Sequence, residues 1–323
     1  MKKLILNADD YGATDFIDNG IIKGIKEGIV NSVSVLVNHP QFEKRVVENL
    51  LPVAREYGVK IGLHLSITSG SIDQNREVEP RSMLAEGSQD FSHLNRIILN
   101  RIAKAELLAE IKYQIEKLGR ALGGVQHIEH INSHHGIFYF DHFLLSSLME
   151  VLYEYKNQGY TFHLRSPLSW SKSGLPYYDY DRKYSISIRR QAIRNALGSS
   201  IFVRGRFNTI KRLFLGTRLK FINYVQRTLN DYSNEHTFCF IDQWYGQTNQ
   251  HHLNHIIEKI PAEPDKVIEF MLHLGDEDTP HDYAPGINPG YYHHRKRELK
   301  LLSENKHLLE EVEIVNYSPS TWP

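Results

Sequence analysis

The amino-acid sequence predicts an α/β protein built around a parallel β-sheet. Strand-like and helix-like segments alternate through the first half of the chain, which is typical of βαβ units. The chain has 323 residues, a length that a (β/α) barrel occupies as a single domain. Its composition, 41% hydrophobic and 24% charged, is that of a globular protein with a substantial core.

Each predicted element follows from its local pattern. Predicted strands are short apolar runs between polar residues, at positions 3–6, 32–37, 59–65, 127–133, 160–164 and 266–273. Predicted helices carry apolar residues at helical spacing, at positions 19–28, 41–57, 94–122, 143–156 and 295–309. Two of these helices end at glycine, at Gly28 and at Gly123, because glycine readily adopts the left-handed backbone angles that close a helix.

Charge and cysteine content exclude several classes of protein. The 38 basic and 38 acidic side chains give a net charge of zero, so we expect no nucleic-acid partner. Cys239 is the only cysteine, which excludes an internal disulfide and a cysteine-based zinc site. The first residues form too short an apolar run for a signal peptide, and no apolar stretch approaches ~18 residues, so we expect a cytosolic protein. Histidine is unusually frequent, 18 residues in all.

Residues 181–228 differ in composition from the rest of the chain. They hold twelve lysines and arginines and a single acid, Asp181, with apolar residues between them, which predicts a basic, partly helical insertion. We place this insertion at about 166–235, inside one domain of residues 1–323. It is either a solvated face or lid, or a surface for a nucleotide-linked or lipid-linked sugar or for the inner membrane surface.

The stretch LILNADDYG at residues 4–12 places two adjacent carboxylates, Asp9 and Asp10, directly after an apolar run. Side chains alternate along a strand, so each carboxylate is expected to point in its own direction and to have a separate role. Two neighbouring negative charges repel each other, which favours a cation near them. The alternative is that one of them only caps the following helix.

Histidines follow other predicted strands in the same way. His64 ends one strand, His134 and His135 follow another, and His273 ends the last. The carboxyl ends of barrel strands together form the active site of a (β/α) barrel, so these side chains are expected to meet Asp9 and Asp10. A single histidine at a strand end is more often an ordinary polar residue, but several such positions with a carboxylate pair favour a site.

Imidazoles with a carboxylate are a usual ligand set for Zn, Fe, Mn or Ni. One aspartate would then bind the metal, while the other serves as general base toward water activated by the ion. The pairs His251–His252 and His293–His294 lie on polar segments and are expected to be ordinary surface histidines. The phosphate-binding patterns GxGxxG and GxxxxGK[ST] and the GxSxG nucleophile elbow are absent.

At these positions the sequence resembles the YdjC/ChbG-like carbohydrate deacetylases. The similarity runs in order from residue 4 to about residue 302. The matching segments are NADDYG at 7–12, GIVNSVSVLVN at 28–38, GLHL at 62–65, HINSHH at 130–135, HLG at 273–275, and a helix with Tyr291, Arg295, Glu298 and Leu299. The basic segment 181–228 lies outside the resemblance.

The resemblance implies a distorted (β/α) TIM-like barrel that hydrolyses an acetamido group on an amino sugar. It implies one divalent metal ion held by Asp10, His64 and His134. The ion would be Mg or Zn, with Mn, Ni and Co as alternatives.

The resemblance also implies catalytic roles. Asp9 would be the base, His273 an acid or oxyanion partner, and Arg295 would hold Asp9 or line the site. Two neighbours depart from the family pattern, since Asn132 replaces an aspartate and Leu274 replaces a proline. These departures leave the identity of the sugar open.

Three functions compete at this point. The first is a metal-dependent N-deacetylase of an amino sugar, whether oligosaccharide, nucleotide-linked or lipid-linked. The second is a different metallohydrolase on the same scaffold, which would release phosphate or cleave another amide. The third is a non-catalytic binding protein that keeps a metal for stability. A homodimer is expected only because dimers are common.

Overall fold

A computed structural model describes residues 2–73, 76–92, 102–139, 142–169, 267–280 and 289–317. It also describes short segments at 224–225, 227–229, 231–232, 238–241, 253–254 and 257–258. Most of the basic segment 181–228 lies outside these residues, as does the pair His251–His252. The predicted insertion, its boundaries and its surface role therefore stay predictions.

The described residues alternate between strands and helices. The strands are β1 (Lys2–Tyr11), β2 (Ser32–Val35), β3 (Lys60–Leu65), β4 (His130–Ser133), β5 (His163–Ser169), β6 (Phe238–Ile241), β7 (Val267–Leu272) and β8 (Val312–Ile314). The α-helices are α1 (Asp15–Lys26), α2 (Leu51–Tyr57), α3 (Lys104–Leu122), α4 (His142–Asn157) and α5 (Pro289–Glu304). A π-helical segment, Lys44–Leu50, leads into α2. Among the described residues, no helix combines the length and apolar composition that crossing a membrane requires.

The strands form one parallel sheet that curls back on itself. Its order is β2-β3-β4-β5-β6-β7-β1-β8, and β1 pairs with β2 as well. On one edge β1 pairs with β7, while on the other its first residues pair with β8 and its later residues with β2. Asn31 lies where β8 gives way to β2, and its side chain accepts from Leu6 N (2.8 Å) and donates to Val315 O (2.7 Å). The α/β class and the barrel-like curl are thereby confirmed.

Several predicted boundaries shift in the structure. The strand predicted at 127–133 begins at His130, because the residues before it form a 3₁₀ turn, Val125–His127. The strand predicted at 160–164 begins at His163, since Tyr160 N still bonds back to Tyr155 O and completes the end of α4. The short strands β6 and β8 were not predicted.

The interior of the curled sheet is polar at the level of β2. In its sequence SVSV the two serines are buried with the two valines, and both serines bond to Asn7 of β1. Gly62 of β3 leaves room for the His130 ring, because a Cβ at Gly62 would lie 2.4 Å from that imidazole. The barrel interior therefore provides hydrogen-bonding groups directly beneath the strand ends.

A second buried polar cluster fixes the loop that follows β3. Glu110 of α3 accepts through Oε1 from Asn38 (3.1 Å) and Gln114 (2.7 Å), and through Oε2 from Arg76. Gln114 also donates to Ser66 O at 2.6 Å. We call Asn38, Arg76, Glu110 and Gln114 the loop anchor, because they attach the loop to α3 and to the end of β2.

Candidate functional site

A bulge near the end of β1 brings both aspartates into the interior. The pairing of β1 with β2 shifts register between Ala8 and Tyr11, and Asp10 adopts a left-handed backbone conformation with φ of 71°. Gly12, with φ of 99°, follows it. As a result Asp9 and Asp10 are both almost fully buried, at 1% and 3% exposure. Because of the bulge, the side chains of Asp9 and Asp10 do not point to opposite faces of the sheet as in a regular strand. The two carboxylates nevertheless have different partners.

Side chains from α1 and the segment after β2 hold this turn. Gly12 N donates to Asp18 Oδ1 at 2.6 Å, and Arg45 donates to Asp18 Oδ2 at 2.5 Å and to Asp15 at 2.8 Å. Burial raises the pKa of Asp18 to about 6, against the opposing effects of the Gly12 amide and Arg45. The unusual backbone of Asp10 is thus stabilised by a buried network, and such a strained residue makes this end of β1 a candidate functional position.

Asp10, His64 and His134 meet at one point, and we call them the metal triad. His64 Nε2 and His134 Nδ1 each lie 3.1 Å from Asp10 Oδ1, and the two nitrogens are also 3.1 Å apart. Around an ion with bonds of about 2.1 Å, neighbouring ligand atoms lie roughly 3.0 Å apart in octahedral and roughly 3.4 Å apart in tetrahedral coordination. Both the donor atoms and their spacing therefore fit one divalent ion.

The residues around the metal triad orient it. Asn132 Oδ1 lies 2.5 Å from His64 Nδ1, so His64 donates through Nδ1 and turns Nε2 toward Asp10. Arg295 donates to Asp10 Oδ2. Burial alone would raise the pKa of Asp10, but Arg295, His134 and His64 hold it well below its usual range. Burial lowers the pKa of His134, which keeps that ring in the neutral form that binds metals.

Asp9 belongs to a separate ion-pair network. Arg165 binds it with two hydrogen bonds, Nη1 to Oδ2 at 2.6 Å and Nη2 to Oδ1 at 2.8 Å. Arg165 also binds Glu269 of β7, with Nε to Oε1 at 2.7 Å. Asn7 and Asn132 donate to Asp9 Oδ1 at 2.8 and 3.3 Å. Burial would raise the pKa of Asp9, but Arg165 and nearby histidines lower it well below its usual range.

Helix α5 supports the site from the side of β7. Its Arg295 contacts Asp10, and its Glu298 accepts from the backbone N–H of His273 at 2.6 Å. Burial and the charge of Arg295 lower the pKa of His273 to about 4. Leu274, one of the two departures from the family pattern, is fully buried, and its Cδ1 lies 2.8 Å from where a Cβ on Gly24 would be.

Two further histidines lie beside the metal triad. His135 is exposed and left-handed, with φ of 55°, and its ring centroid lies 3.8 Å from that of His134. Its Nδ1 is 3.1 Å from Thr68 Oγ1, in the loop after β3. His39 Nε2 lies 3.0 Å from Ser69 Oγ in the same loop. The loop fixed by the loop anchor therefore borders the site.

The structure brings most of the predicted site residues together. Asp9, Asp10, His64 and His134 meet as expected at the carboxyl ends of parallel strands. Arg295 also reaches this site, but it donates to Asp10, and it is Arg165 that binds Asp9. His273 lies close enough to affect the pKa of Asp9. His293 is exposed and its neighbour His294 is half-buried.

The sequence analysis missed the roles of Arg165, Glu269 and Asn132. Arg165 and Glu269 each interrupt an apolar strand with a charge, in HLRS and VIEFML. A lone charge in a buried strand needs a partner, and that was the signal available in the sequence. Asn132 was noted as a departure from a pattern, without its contacts.

Comparisons relate the chain to known proteins. A family model described as YdjC-like protein matches residues 3–309. A carbohydrate deacetylase of Listeria welshimeri is 34% identical over 140 residues, which cover 42% of this chain and 52% of that protein. A carbohydrate deacetylase of Brevibacillus brevis is 31% identical over 136 residues, covering 42% and 50% of the two chains. The chain thus spans about half the length of the curated relatives it matches.

A solved structure supports the fold. It is a protein of Enterococcus faecalis V583 named for cellobiose-phosphate cleavage, and the alignment covers 99% of both chains with a TM-score of 0.63. Its sequence identity is 21%, so the likeness concerns the fold alone.

Proposed function

The chain belongs to the YdjC-like protein family, and from that premise we propose that it is a metal-dependent hydrolase that removes the N-acetyl group from an amino sugar. The observation that carries the proposal is the convergence of three ligand atoms, 3.1 Å apart, beside the separately held Asp9. The names of the curated relatives support a carbohydrate as substrate. The sugar is an oligosaccharide or is linked to a nucleotide or lipid.

In this proposal Asp10, His64 and His134 hold one divalent ion. When bound there, such an ion would supply polarisation of the acetyl carbonyl and a lowered pKa for water, which is the chemistry that amide hydrolysis needs most. Two imidazoles and one carboxylate suit Zn, Mn, Ni and Co, while Mg accepts the same set with several waters.

Asp9 acts as the general base. Arg165 keeps it ionised throughout the neutral range, so it is in the form that accepts a proton from the attacking water. The two hydrogen bonds from Arg165 and those from Asn7 and Asn132 also restrict its rotation, so the carboxylate is already oriented before substrate binds.

His273 acts as a neutral hydrogen-bond donor. With a pKa of about 4 the imidazole carries no charge at neutral pH. One of its N–H groups therefore stabilises the oxygen that gains negative charge in the transition state. A neutral imidazole is suited to this role and not to that of a general acid. Arg295 is assigned to Asp10, whose charge and orientation it maintains.

The test is acetate release from a panel of N-acetylated sugars by protein loaded with Zn, Mg or Mn. The panel contains free chito-oligosaccharides, UDP-N-acetylglucosamine and a lipid-linked N-acetyl sugar. We expect acetate from at least one of them, abolished by a chelator and restored by metal. Asp9→Asn should keep the metal and lose about 10²–10⁴-fold in turnover. Release of phosphate without acetate would favour another metallohydrolase, and metal binding without any turnover would favour a binding protein.

The remaining predictions extend this proposal. We infer that the curled sheet is a distorted TIM-like barrel and that residues 1–323 form one domain. A basic segment at 181–228 would favour a phosphate-bearing or membrane-bound sugar. Alanine at Arg204, Arg206, Lys211 and Arg212 should then raise KM for phosphorylated sugars or weaken vesicle binding. An unchanged KM for every phosphorylated sugar, with unchanged vesicle binding, would refute that role.

A further inference from the structure

Asn132 lies between the metal triad and Asp9. In the parallel register of β3 and β4 it stands opposite His64, and it is only 1% exposed. Its Oδ1 accepts from His64 Nδ1 at 2.5 Å. Its Nδ2 donates to Ser34 Oγ at 2.7 Å and to Asp9 Oδ1 at 3.3 Å. One amide therefore contacts a ligand of the metal triad on one side and the carboxylate of Asp9 on the other.

The surroundings fix the orientation of this amide. Turning it over would place Oδ1 against the Asp9 carboxylate and so bring two acceptors together. It would also point an N–H₂ at His64 Nδ1, which would force the imidazole proton onto Nε2. In that tautomer Nε2, the atom 3.1 Å from Asp10, could no longer bind a metal.

We propose that Asn132 is a positioning residue that sets His64 in its metal-binding tautomer and holds Asp9 at the same time. The effect of Asn132 on Asp9 rests on the proposed function, whereas its effect on His64 concerns metal binding alone. An amide suits this place because it offers an acceptor to His64 and a donor to Asp9.

The family pattern has an aspartate in this place, but with the contacts of this chain a carboxylate would keep only the bond to His64. It would still accept from His64, but it would face Asp9 with a second negative charge at about the present 3.3 Å. Among the described residues around Asn132, three carboxylates, Asp9, Asp10 and Glu269, face two guanidinium groups, Arg165 and Arg295. An added charge would therefore strengthen the attraction for a cation while disturbing the base.

Two variants separate these effects. Asn132→Asp keeps the shape and the acceptor but exchanges the donor for a charge. Asn132→Leu removes both the acceptor and the donor. Asn38→Leu is the matched control, because Asn38 is a buried amide of the loop anchor that contacts Glu110. Circular dichroism and thermal melting establish that each variant folds.

The first readout is the Kd for Zn, measured by titration calorimetry on the metal-free full chain. Asn132→Leu should weaken binding about 10–100-fold, as loss of a partner to a ligating histidine does. Asn132→Asp should bind at least as tightly as the wild type, and Asn38→Leu should stay within about twofold. With Zn bound, the Nδ1 proton of His64 in the wild type should exchange slowly with water because it bonds to Asn132, and in Asn132→Leu it should exchange faster.

The second readout is acetate turnover at saturating metal. Asn132→Asp should lower kcat about 10–100-fold with little change in KM, because at saturating metal the added charge acts mainly on the base, Asp9. An equal Kd for Asn132→Leu and wild type, or a wild-type kcat in Asn132→Asp, would overturn the proposal. If Asn132→Leu failed to fold, the exchange rate of the His64 Nδ1 proton in the Zn-loaded wild type would decide it, and fast exchange there would overturn the proposal. If the wild type released no acetate, the proposed function would fail while the metal affinities still judged Asn132.

Discussion

The metal triad and the loop anchor are both buried and charged, but their polar atoms are arranged in opposite ways. In the loop anchor each oxygen of Glu110 has its own donor, from Asn38, Gln114 or Arg76. In the metal triad three ligand atoms are aimed at one another at 3.1 Å, an arrangement that fits a metal ion. Burial of charge alone therefore does not identify a site, whereas convergence of ligand atoms does.

The largest effect should follow from changing the metal triad itself. Asp10→Asn keeps the shape but removes the charge that the two histidines share, so metal should be lost. We expect turnover of an N-acetyl sugar to fall by at least about 10³-fold. Metal content after dialysis and acetate release measure the two effects. Stoichiometric metal in Asp10→Asn would show that Asp10 is not a ligand.

The matched change in the loop anchor should affect stability and spare the metal. Glu110→Gln leaves the buried guanidinium of Arg76 without its carboxylate, which costs about 3–5 kcal/mol of unfolding free energy. Urea unfolding measures this loss, while the Zn affinity of the folded variant should match the wild type. If Glu110→Gln lost the metal but kept its stability, the distinction between the two clusters would be wrong.

Strand ends alone predicted which side chains would meet, whereas the choice of Asp10, His64 and His134 among them came from the family resemblance. Parallel strands share one carboxyl edge, so His64 and His134 had to approach Asp10 once the strands were placed. Arg165 and Glu269 were missed because they lie inside strands, and the residues they pair with are far away in the chain. Neither local pattern nor spacing contains that information.

Some elements of the fold also could not be predicted from local sequence. The long elements were predicted from periodicity, whereas β6 and β8 are short and become strands only through pairing with β5, β7 and β1. The bulge at Asp9 and Asp10 was also beyond the sequence, since it arises from the shifted pairing with β2 and from Asp18 holding Gly12. The alternation in SVSV did contain a usable signal for a polar interior.

The pH dependence of stability should distinguish the histidines beside the metal triad, His39 and His273, from the loop anchor. Burial lowers the pKa of His39 and of His273 to about 4, while an unfolded histidine titrates near about 6.5. The unfolded chain therefore binds more protons between these values, so metal-free protein should lose stability as pH falls from about 6.5 to about 4. The raised pKa of Glu110 has the opposite sign, because its contribution is lost as pH rises.

Urea midpoints across this pH range give the measurement. His39→Gln should flatten the dependence, because it removes one of the groups that resist protonation in the folded state. His64, whose pKa the aspartates raise against the effect of burial, acts in the reverse direction and reduces the net slope. A dependence that His39→Gln left unchanged would assign the acid sensitivity to other groups.

The smallest effect is expected at the outer edge of the loop. Asp73 accepts from Lys117 at 2.6 Å and from Tyr113, but its side chain is 43% exposed. Water screens such a pair, so Asp73→Asn should cost less than about 1 kcal/mol in urea unfolding, with metal affinity unchanged. The loop anchor and Asp73 fix the same loop to the same helix, so burial is the main difference between Glu110→Gln and Asp73→Asn. Equal losses of unfolding free energy in the two variants would mean that burial of an ion pair adds little to its stabilising effect. The stability of the loop would then depend only on how many ion pairs attach it.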